Sequence, residues 1–355
     1  MHCMFSVRFL ELKTTMVVGV NKLNAPFYVQ FEVTDRCNNR CFFCYNDKAP
    51  TFGNELTLKE IWSILRQLKE AGVFSINLNG GEPLMRPDFF EIMEYAHYLG
   101  FSLHMNTNAT LIDDYKAKRI ARCMGTICTS ILRPDECGHD CDTGRKGAYQ
   151  DAIKGIQALV SNGVKVEVNV CTHKKNVRDI YKIAELADSV GCYALCSTRY
   201  ILNSKDNVDY LLGKEDTEFL IDTLYKARQN FKNLKAISLP GPVPFCEISP
   251  EYHKKLAELN IPCQFGYGLC RISATGKVTP CTISDEVIGD LRKESFKDVW
   301  NSNKWDKYVH LEHLPVNCRE CDELRLCRGG CVVYDQSIRS CGLKICTKKW
   351  QGVNE

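Results

Sequence analysis

The sequence predicts an α/β protein in which a parallel sheet with crossover helices, closed as a barrel or left open, precedes a loop-rich, cysteine-rich C-terminal part. Between residues 27 and 199, short β-rich runs alternate with amphipathic helical patterns, the order of a parallel βα array. At about residue 240 the composition shifts through "LPGPVPF", a linker or domain boundary signal. Beyond it regular periodicity is scarce apart from "SFKDVWNSNKW", and cysteines crowd in, as a core-poor segment needing staples requires.

Six runs read as strands, in order "FYVQFEV", "FSINLNG", "FSLHMNT", "TICTSIL", "VKVEVNV" and "CYALCST". The helix after the first opens at Thr57, whose hydroxyl can cap the backbone while Glu60 reaches back, and it buries Ile61, Ile64, Leu65 and Leu68 at helical spacing. A second helix begins after Pro87 and runs through Phe90, Ile92 and Tyr95. A third, "AYQDAIKGIQALVSNG", is stopped by Gly163. In a barrel or an open sheet of this order, ligands sit at the C-terminal ends of the strands.

Composition excludes several classes. At 355 residues the chain fits about two domains, and 45% hydrophobic with 25% charged residues is ordinary for a soluble globular protein. A net charge of +3 with both signs interspersed supplies no field for nucleic acid or an anionic membrane. Arg8, Glu11 and Lys13 interrupt the N-terminal apolar runs, so no signal peptide is expected. Nowhere do about 18 apolar residues run together to span a bilayer. These features place the protein in the cytoplasm, where 21 cysteines suggest metal binding rather than disulfides.

Three of those cysteines, Cys37, Cys41 and Cys44, lie in "DRCNNRCFFCY" directly after the first strand. Thiolates are the usual ligands of iron-sulfur clusters, and three of them on a 4Fe-4S cube leave one iron open to another molecule. A zinc site completed by a remote His or Cys is the alternative on spacing alone. At the end of the second strand stands "NLNGGEPL", where two glycines permit close backbone approach and a carboxylate can pair with an ammonium group. A plain turn is the other reading of the glycine pair.

A Cys-x3-Cys-x2-Cys loop after the first strand, with Phe43 before its third cysteine, resembles the radical S-adenosylmethionine (radical SAM) superfamily. Gly80, Gly81, Glu82 and Pro83 look like its GGEP element. The resemblance implies a partial (β/α)6 barrel, a 4Fe-4S cluster on Cys37, Cys41 and Cys44 whose open iron chelates SAM, and contact of the GGEP element with the SAM amino group. It further places Thr107 and Asn108 of "MNTNATL" near the site, with Ala109 in place of the family's glycine. Ser130 matches the serine of the fourth strand end, and Arg199 is assigned to the adenosine pocket. Arg145 is the candidate for the SAM carboxylate, because Thr143 stands where the family often has arginine.

The C-terminal part has Cys263, Cys270 and Cys281, then Cys318, Cys321, Cys327 and Cys331, and finally Cys341 and Cys346. In isolation the second group suits a zinc ribbon. Seven spaced cysteines plus one of the last two make enough thiolates for two fully ligated 4Fe-4S clusters. Their order resembles the SPASM extension of radical SAM enzymes. That resemblance assigns Cys263, Cys270, Cys281 and Cys331 to one auxiliary cluster, and Cys318, Cys321, Cys327 and Cys346 to the other, with Cys341 as the alternative last ligand. Of the remaining cysteines most read as small buried hydrophobes, and Cys137 and Cys141 as a pair in a loop.

Taken together, the resemblance divides the chain into an N-terminal extension over 1–26, a radical SAM core over 27–240 and a SPASM domain over 241–355. It implies reductive cleavage of SAM to a 5'-deoxyadenosyl radical that removes hydrogen from a substrate carbon, with three 4Fe-4S clusters and a flavodoxin- or ferredoxin-type electron donor. The substrate class expected is a peptide or protein. The short stretch before the first strand leaves no room for a leader-binding domain, so a separate leader-peptide recognition protein is a possible partner. A small-molecule oxidoreductase of tetrapyrrole or quinone cofactor pathways is the second enzyme reading, and a non-enzymatic iron-sulfur scaffold the third. Thr282 replaces the aspartate that follows the matching cysteine in anaerobic sulfatase maturases, which counts against that group.

Overall fold

The computed structural model describes residues 23–46, 54–201, 205–241, 243–312, 314, 318, 321–331 and 333. All six expected strands form: β1 (Tyr28–Thr34), β2 (Ser75–Gly80), β3 (Ser102–Thr107), β4 (Thr126–Ser130), β5 (Lys165–Thr172) and β6 (Ala194–Arg199). They lie side by side in sequence order and pair in parallel throughout. Parallel pairing demands crossovers, and the helices α1 (Leu58–Ala71), α2 (Phe89–Tyr98), α3 (Asp114–Cys123), α5 (Ala148–Ser161) and α6 (Ile180–Ser189) supply them.

Local chemistry sets the boundaries of these helices. The Thr57 hydroxyl accepts from the Glu60 N–H at 3.3 Å while the Glu60 carboxylate accepts from the Thr57 N–H at 2.7 Å. Gly72 then ends α1 in the left-handed conformation at φ 91°, which costs a residue without Cβ little. One helix was hidden from the periodicity. Cys137 and Cys141 lie on α4 (Glu136–Thr143) rather than in a loop, because Asp135 caps its start by accepting from the Gly138 N–H at 2.9 Å and Gly144 ends it. The eight residues of α4 are too polar to advertise a buried face.

The two faces of the sheet differ in kind. Side chains alternate along a strand, so Val29, Phe31, Ile76, Leu78, Val166 and Val168 pack under the helices in the main core. The opposite face, the lumen, carries Gln30, Glu32, Asn77, Asn79, Asn106, Glu167 and Asn169.

Beyond β6 the sheet continues further than six units. After α7 (Lys214–Asn230), strand β7 (Ala236–Pro240) pairs parallel with β6, and α8 (His253–Leu259) leads into the short β8 (Asn260–Ile261) on that edge. At the other edge β9 (Leu269–Ile272) pairs parallel with β1, and β10 (Lys277–Thr279) and β11 (Gly289–Asp290) follow antiparallel. The cysteine-rich part therefore joins the sheet beside the strand that carries the three-cysteine loop. Its core includes Phe296, Val299 and Trp300 of α9 (Phe296–Asn301), within the stretch "SFKDVWNSNKW", and Trp305. Two short helices follow, α10 (Asp306–Val309) and α11 (Leu324–Cys327). No helix among the described residues is long and apolar enough to cross a membrane.

Candidate active site

The three-cysteine loop leaves β1 at the C-terminal end of the sheet and is held from several sides. Glu55 clamps its start, accepting from the Thr34 hydroxyl at 2.7 Å, the Asp35 N–H at 2.8 Å and the Arg36 guanidinium at 3.0 Å. Burial opposes the Glu55 charge, but those donors outweigh it and lower its pKa. Further on, the Arg40 N–H donates to the Thr143 carbonyl at 2.8 Å, and Arg145 bridges Asn39 and Asp151 at 3.0 Å each. Arg145 thus fastens the loop to α5.

The GGEP element sits against this same loop. A Cβ on Gly80 would lie 2.2 Å from the Thr34 carbonyl oxygen, and one on Gly81 would lie 2.2 Å from that of Arg36. The close approach the two glycines allow is therefore to the chain's own backbone, sealed by Gly81 N–H to Thr34 O at 2.8 Å and Glu82 N–H to Arg36 O at 2.7 Å. Glu82 is fully buried and caps the single turn Pro83–Met85. One of its oxygens accepts from the Thr107 hydroxyl at 2.8 Å and the Leu84 N–H at 3.2 Å, the other from the Asn108 N–H at 2.7 Å. Burial pushes its pKa up to about 7 against the pull of those donors.

Asn108 closes the circuit. Its amide donates to Asn38 at 2.7 Å and reaches the Cys37 sulfur at 3.9 Å, while its oxygen accepts from the Thr110 N–H and hydroxyl. Ala109 adopts φ 60°, the left-handed conformation for which the family's glycine is suited. Ser130 ends β4 half-buried, and Arg199 ends β6 with its guanidinium 3.4 Å from Glu247.

Phe43 packs against the Tyr200 and Leu211 cluster, which Tyr210 and Cys331 also border. The sequence did not single out its neighbour Phe42, whose ring stands 4.4 Å from that of Tyr210 and 5.2 Å from that of His173. His173 is fully buried, 3.5 Å from Asp142, which also pairs with Arg133 at 2.7 Å. Burial lowers the His173 pKa, against the opposing pull of Asp142. No motif could have flagged these residues, since they come together from β5, α4 and the segment after β6.

The thiols suit an iron-sulfur cluster. Burial pushes the pKa of both Cys37 and Cys41 up, and Cys44 and Cys37 push Cys41 further. Three mutually repelling thiolates in a desolvated loop are unfavourable alone and favourable around cationic iron. In the C-terminal part, Cys263, Cys281 and Cys331 lie within electrostatic reach of one another, and burial pushes Cys263 up to about 12. Cys270 is on β9 and packs in the main core. Cys318 and Cys321 lie on one turn, the Cys321 N–H donating to the Cys318 carbonyl at 3.3 Å, and Cys327 ends α11. Cys341 and Cys346 lie outside the described residues.

A cysteine triad braced at the C-terminal mouth of a parallel βα sheet, with a second cysteine-rich segment joined to the same sheet, has the thiolate donors of an iron-sulfur protein. Residues 31–187 match the radical SAM superfamily and residues 263–322 match SPASM, an iron-sulfur cluster-binding domain. The chain belongs to the radical SAM superfamily and is an enzyme with a SPASM extension.

The AdoMet-dependent heme synthase of Methanosarcina barkeri strain Fusaro is 28% identical over 86% of this chain and 91% of its own length. The PqqA peptide cyclase of Gluconobacter oxydans strain 621H is 25% identical over 86% of this chain and 85% of its own. Among solved structures, Streptococcus suis SuiB bound to S-adenosylmethionine superposes with a TM-score of 0.73 at 20% identity, over 92% of this chain and 78% of SuiB. At that identity the likeness concerns the fold. SuiB has also been solved bound to its precursor peptide SuiA.

Proposed function

We propose that the protein is a radical SAM/SPASM oxidoreductase that abstracts hydrogen from a carbon of a peptide or protein substrate, a post-translational maturase. Cys37, Cys41 and Cys44 would hold the cluster that with SAM would supply a 5'-deoxyadenosyl radical, and the C-terminal cysteines would hold two auxiliary clusters able to take up electrons. The chain's own residues bind, orient and exclude water. Asn108 and Arg145 hold the cysteine loop, the segment Gly80 to Pro83 would receive the SAM amino group, and Thr107 and Glu82 fix the spacing of the two strand ends. Ser130 and Arg199 would border the nucleoside side, and Phe43 packs the loop against Tyr200 and Leu211.

The observation that carries the peptide reading is the lumen. Asn77, Asn79, Asn106 and Asn169 give it neutral carboxamides. Neither polar atom of the Asn79 side chain has a protein partner, nor does Asn106 Oδ1. Buried carboxamides without partners favour a ligand offering amide donors and acceptors, as a peptide backbone does. Arg271, the cation that enters from β9, is already held by Glu32, which also accepts from the Tyr45 hydroxyl at 3.1 Å. Tetrapyrrole carboxylates would require cations not committed in this way. The heme synthase relative supports the second reading, a tetrapyrrole substrate.

The test is anaerobic incubation of reconstituted protein with SAM, dithionite and either a library of short synthetic peptides or iron-coproporphyrin. The peptide reading requires 5'-deoxyadenosine formation coupled to loss of two hydrogen atoms from the peptide. Coupling to the porphyrin alone would favour the tetrapyrrole reading instead.

A further inference from the structure

We infer that Cys270 is a packing residue rather than a cluster ligand, and that the first auxiliary site takes three thiolates from this chain, Cys263, Cys281 and Cys331, leaving one iron for a soft anionic donor from outside this set. The inference rests on the reading of the C-terminal segment as iron-binding and departs from the four-thiolate assignment made on cysteine order.

The register of β9 against β1 carries it. Leu269 lies opposite Tyr28, Cys270 opposite Val29, Arg271 opposite Gln30 and Ile272 opposite Phe31. Neighbouring positions of a strand point to opposite faces, so Cys270 shares the helix-covered face with Val29, Phe31 and Ile272. Leu269 and Arg271 point the other way. On that side Tyr28, Leu269 and Cys281 pack together, with Phe265 and Val333 against them. Turning Cys270 to the cluster would require slipping β9 by one residue, which would send Arg271 into the apolar core and break its pairing with Glu32.

The surroundings of the four sulfurs agree. Cys281 interacts electrostatically with both Cys331 and Cys263, and backbone N–H groups of Ile283 and Ser284 donate to it. Phe265 N–H does the same for Cys263. Hydrogen bonds to sulfur of this kind tune iron-sulfur clusters. Around Cys270 burial acts alone. Cys331 and Phe43 both pack against the Tyr200 and Leu211 cluster, so the first auxiliary site and the three-cysteine loop share one apolar patch. Iron of these clusters favours thiolate and similar soft anions.

The experiment uses the full chain reconstituted anaerobically, with Cys37, Cys41 and Cys44 changed to Ala so that only auxiliary clusters remain, expected to hold about eight irons. In that background Cys270→Val, which keeps an apolar side chain of similar size, retains all the iron, and Cys270→Ala serves as a second variant should valine crowd the core. Cys281→Ala and Cys331→Ala each lose about four irons, one cluster's worth. Adding 13C-cyanide to the reduced background protein produces 13C hyperfine coupling in its electron paramagnetic resonance. Loss of iron in both Cys270 variants equal to that in Cys281→Ala overturns the inference. So does absence of cyanide coupling until Cys246, Cys341 or Cys346 is removed, since the fourth thiolate would then come from the chain. If the background protein holds no iron at all, the reading of the segment as iron-binding fails first.

Discussion

The Thr107 hydroxyl donates to the buried Glu82 carboxylate at 2.8 Å and, through its own oxygen, accepts the Ala109 N–H at 3.0 Å. That pair ties the end of β3 to the GGEP element, and Asn108, the residue between, reaches the cysteine loop. Thr107→Val keeps the shape and removes the hydroxyl. It leaves the Ala109 N–H without its acceptor, a loss of about 1–3 kcal/mol for a buried group. Urea unfolding should show that loss, and SAM affinity should fall with it. Thr107→Ser should restore both.

Glu82 also gives the apoprotein a pH dependence. Its pKa rises from 4.5 to about 7 on folding because burial disfavours the charged form. A group raised in the folded state contributes stability that is complete below about 4.5 and is lost as the pH climbs through about 7. Unfolding free energies of cluster-free, thiol-reduced protein should therefore decline across that window. Glu82→Gln should flatten the decline, and an unchanged slope would mean that Glu82 ionises normally.

Gly81 has to be glycine for a steric reason that concerns the cluster loop. An alanine methyl would meet the Arg36 carbonyl oxygen at 2.2 Å, and both are backbone-fixed, so the loop carrying Cys37 must move. Gly81→Ala should lose the iron of one cluster, about four per chain, while leaving the auxiliary iron in place. Gly125→Ala, where a methyl meets nothing within 4 Å, is the control and should hold its iron.

Ala109 occupies a left-handed position at φ 60° under the close approach of Gly155 on α5, whose added Cβ would lie 2.0 Å from the Ala109 oxygen. Ala109→Gly trades relief of backbone strain against a more flexible unfolded chain and one lost methyl, so stability should stay within about 1 kcal/mol of the parent. Ala109→Val puts a β-branched residue at positive φ and should cost about 2 kcal/mol or more. Thermal unfolding of both variants measures the contrast.

The features legible in the sequence are those fixed by neighbours in the chain. The Thr57 and Glu60 cap, the six strands and the cysteine spacings each follow from residues a few positions apart. What stayed hidden depends on partners far along the chain. Gly80 and Gly81 are required by the close approach of Thr34 and Arg36 across the first crossover. The facing of Cys270 is decided by Val29 on β1, more than 200 residues earlier, and cysteine order carries no record of strand register. Short polar α4 lacks the periodicity that reveals a helix, although Asp135 and Gly144 mark its ends.

Phe42 provides a test of how the loop is held on its far side. Its ring lies against Tyr210 and His173, whereas Phe43 packs on the Tyr200 and Leu211 cluster that Cys331 also borders. Both rings are half-buried, so truncation of either should cost about 1–3 kcal/mol of local packing. The consequences should differ by site. Phe42→Ala removes the contact that seats the Cys41 turn on β5, and should speed loss of the SAM-binding cluster to a chelator under anaerobic conditions. Phe43→Ala loosens the Tyr200 and Leu211 patch on which Cys331 also packs, and should also disturb the auxiliary signals. Equal chelation rates in parent and Phe42→Ala would show that Glu55, Arg145 and Asn108 hold the loop without the aromatic seat.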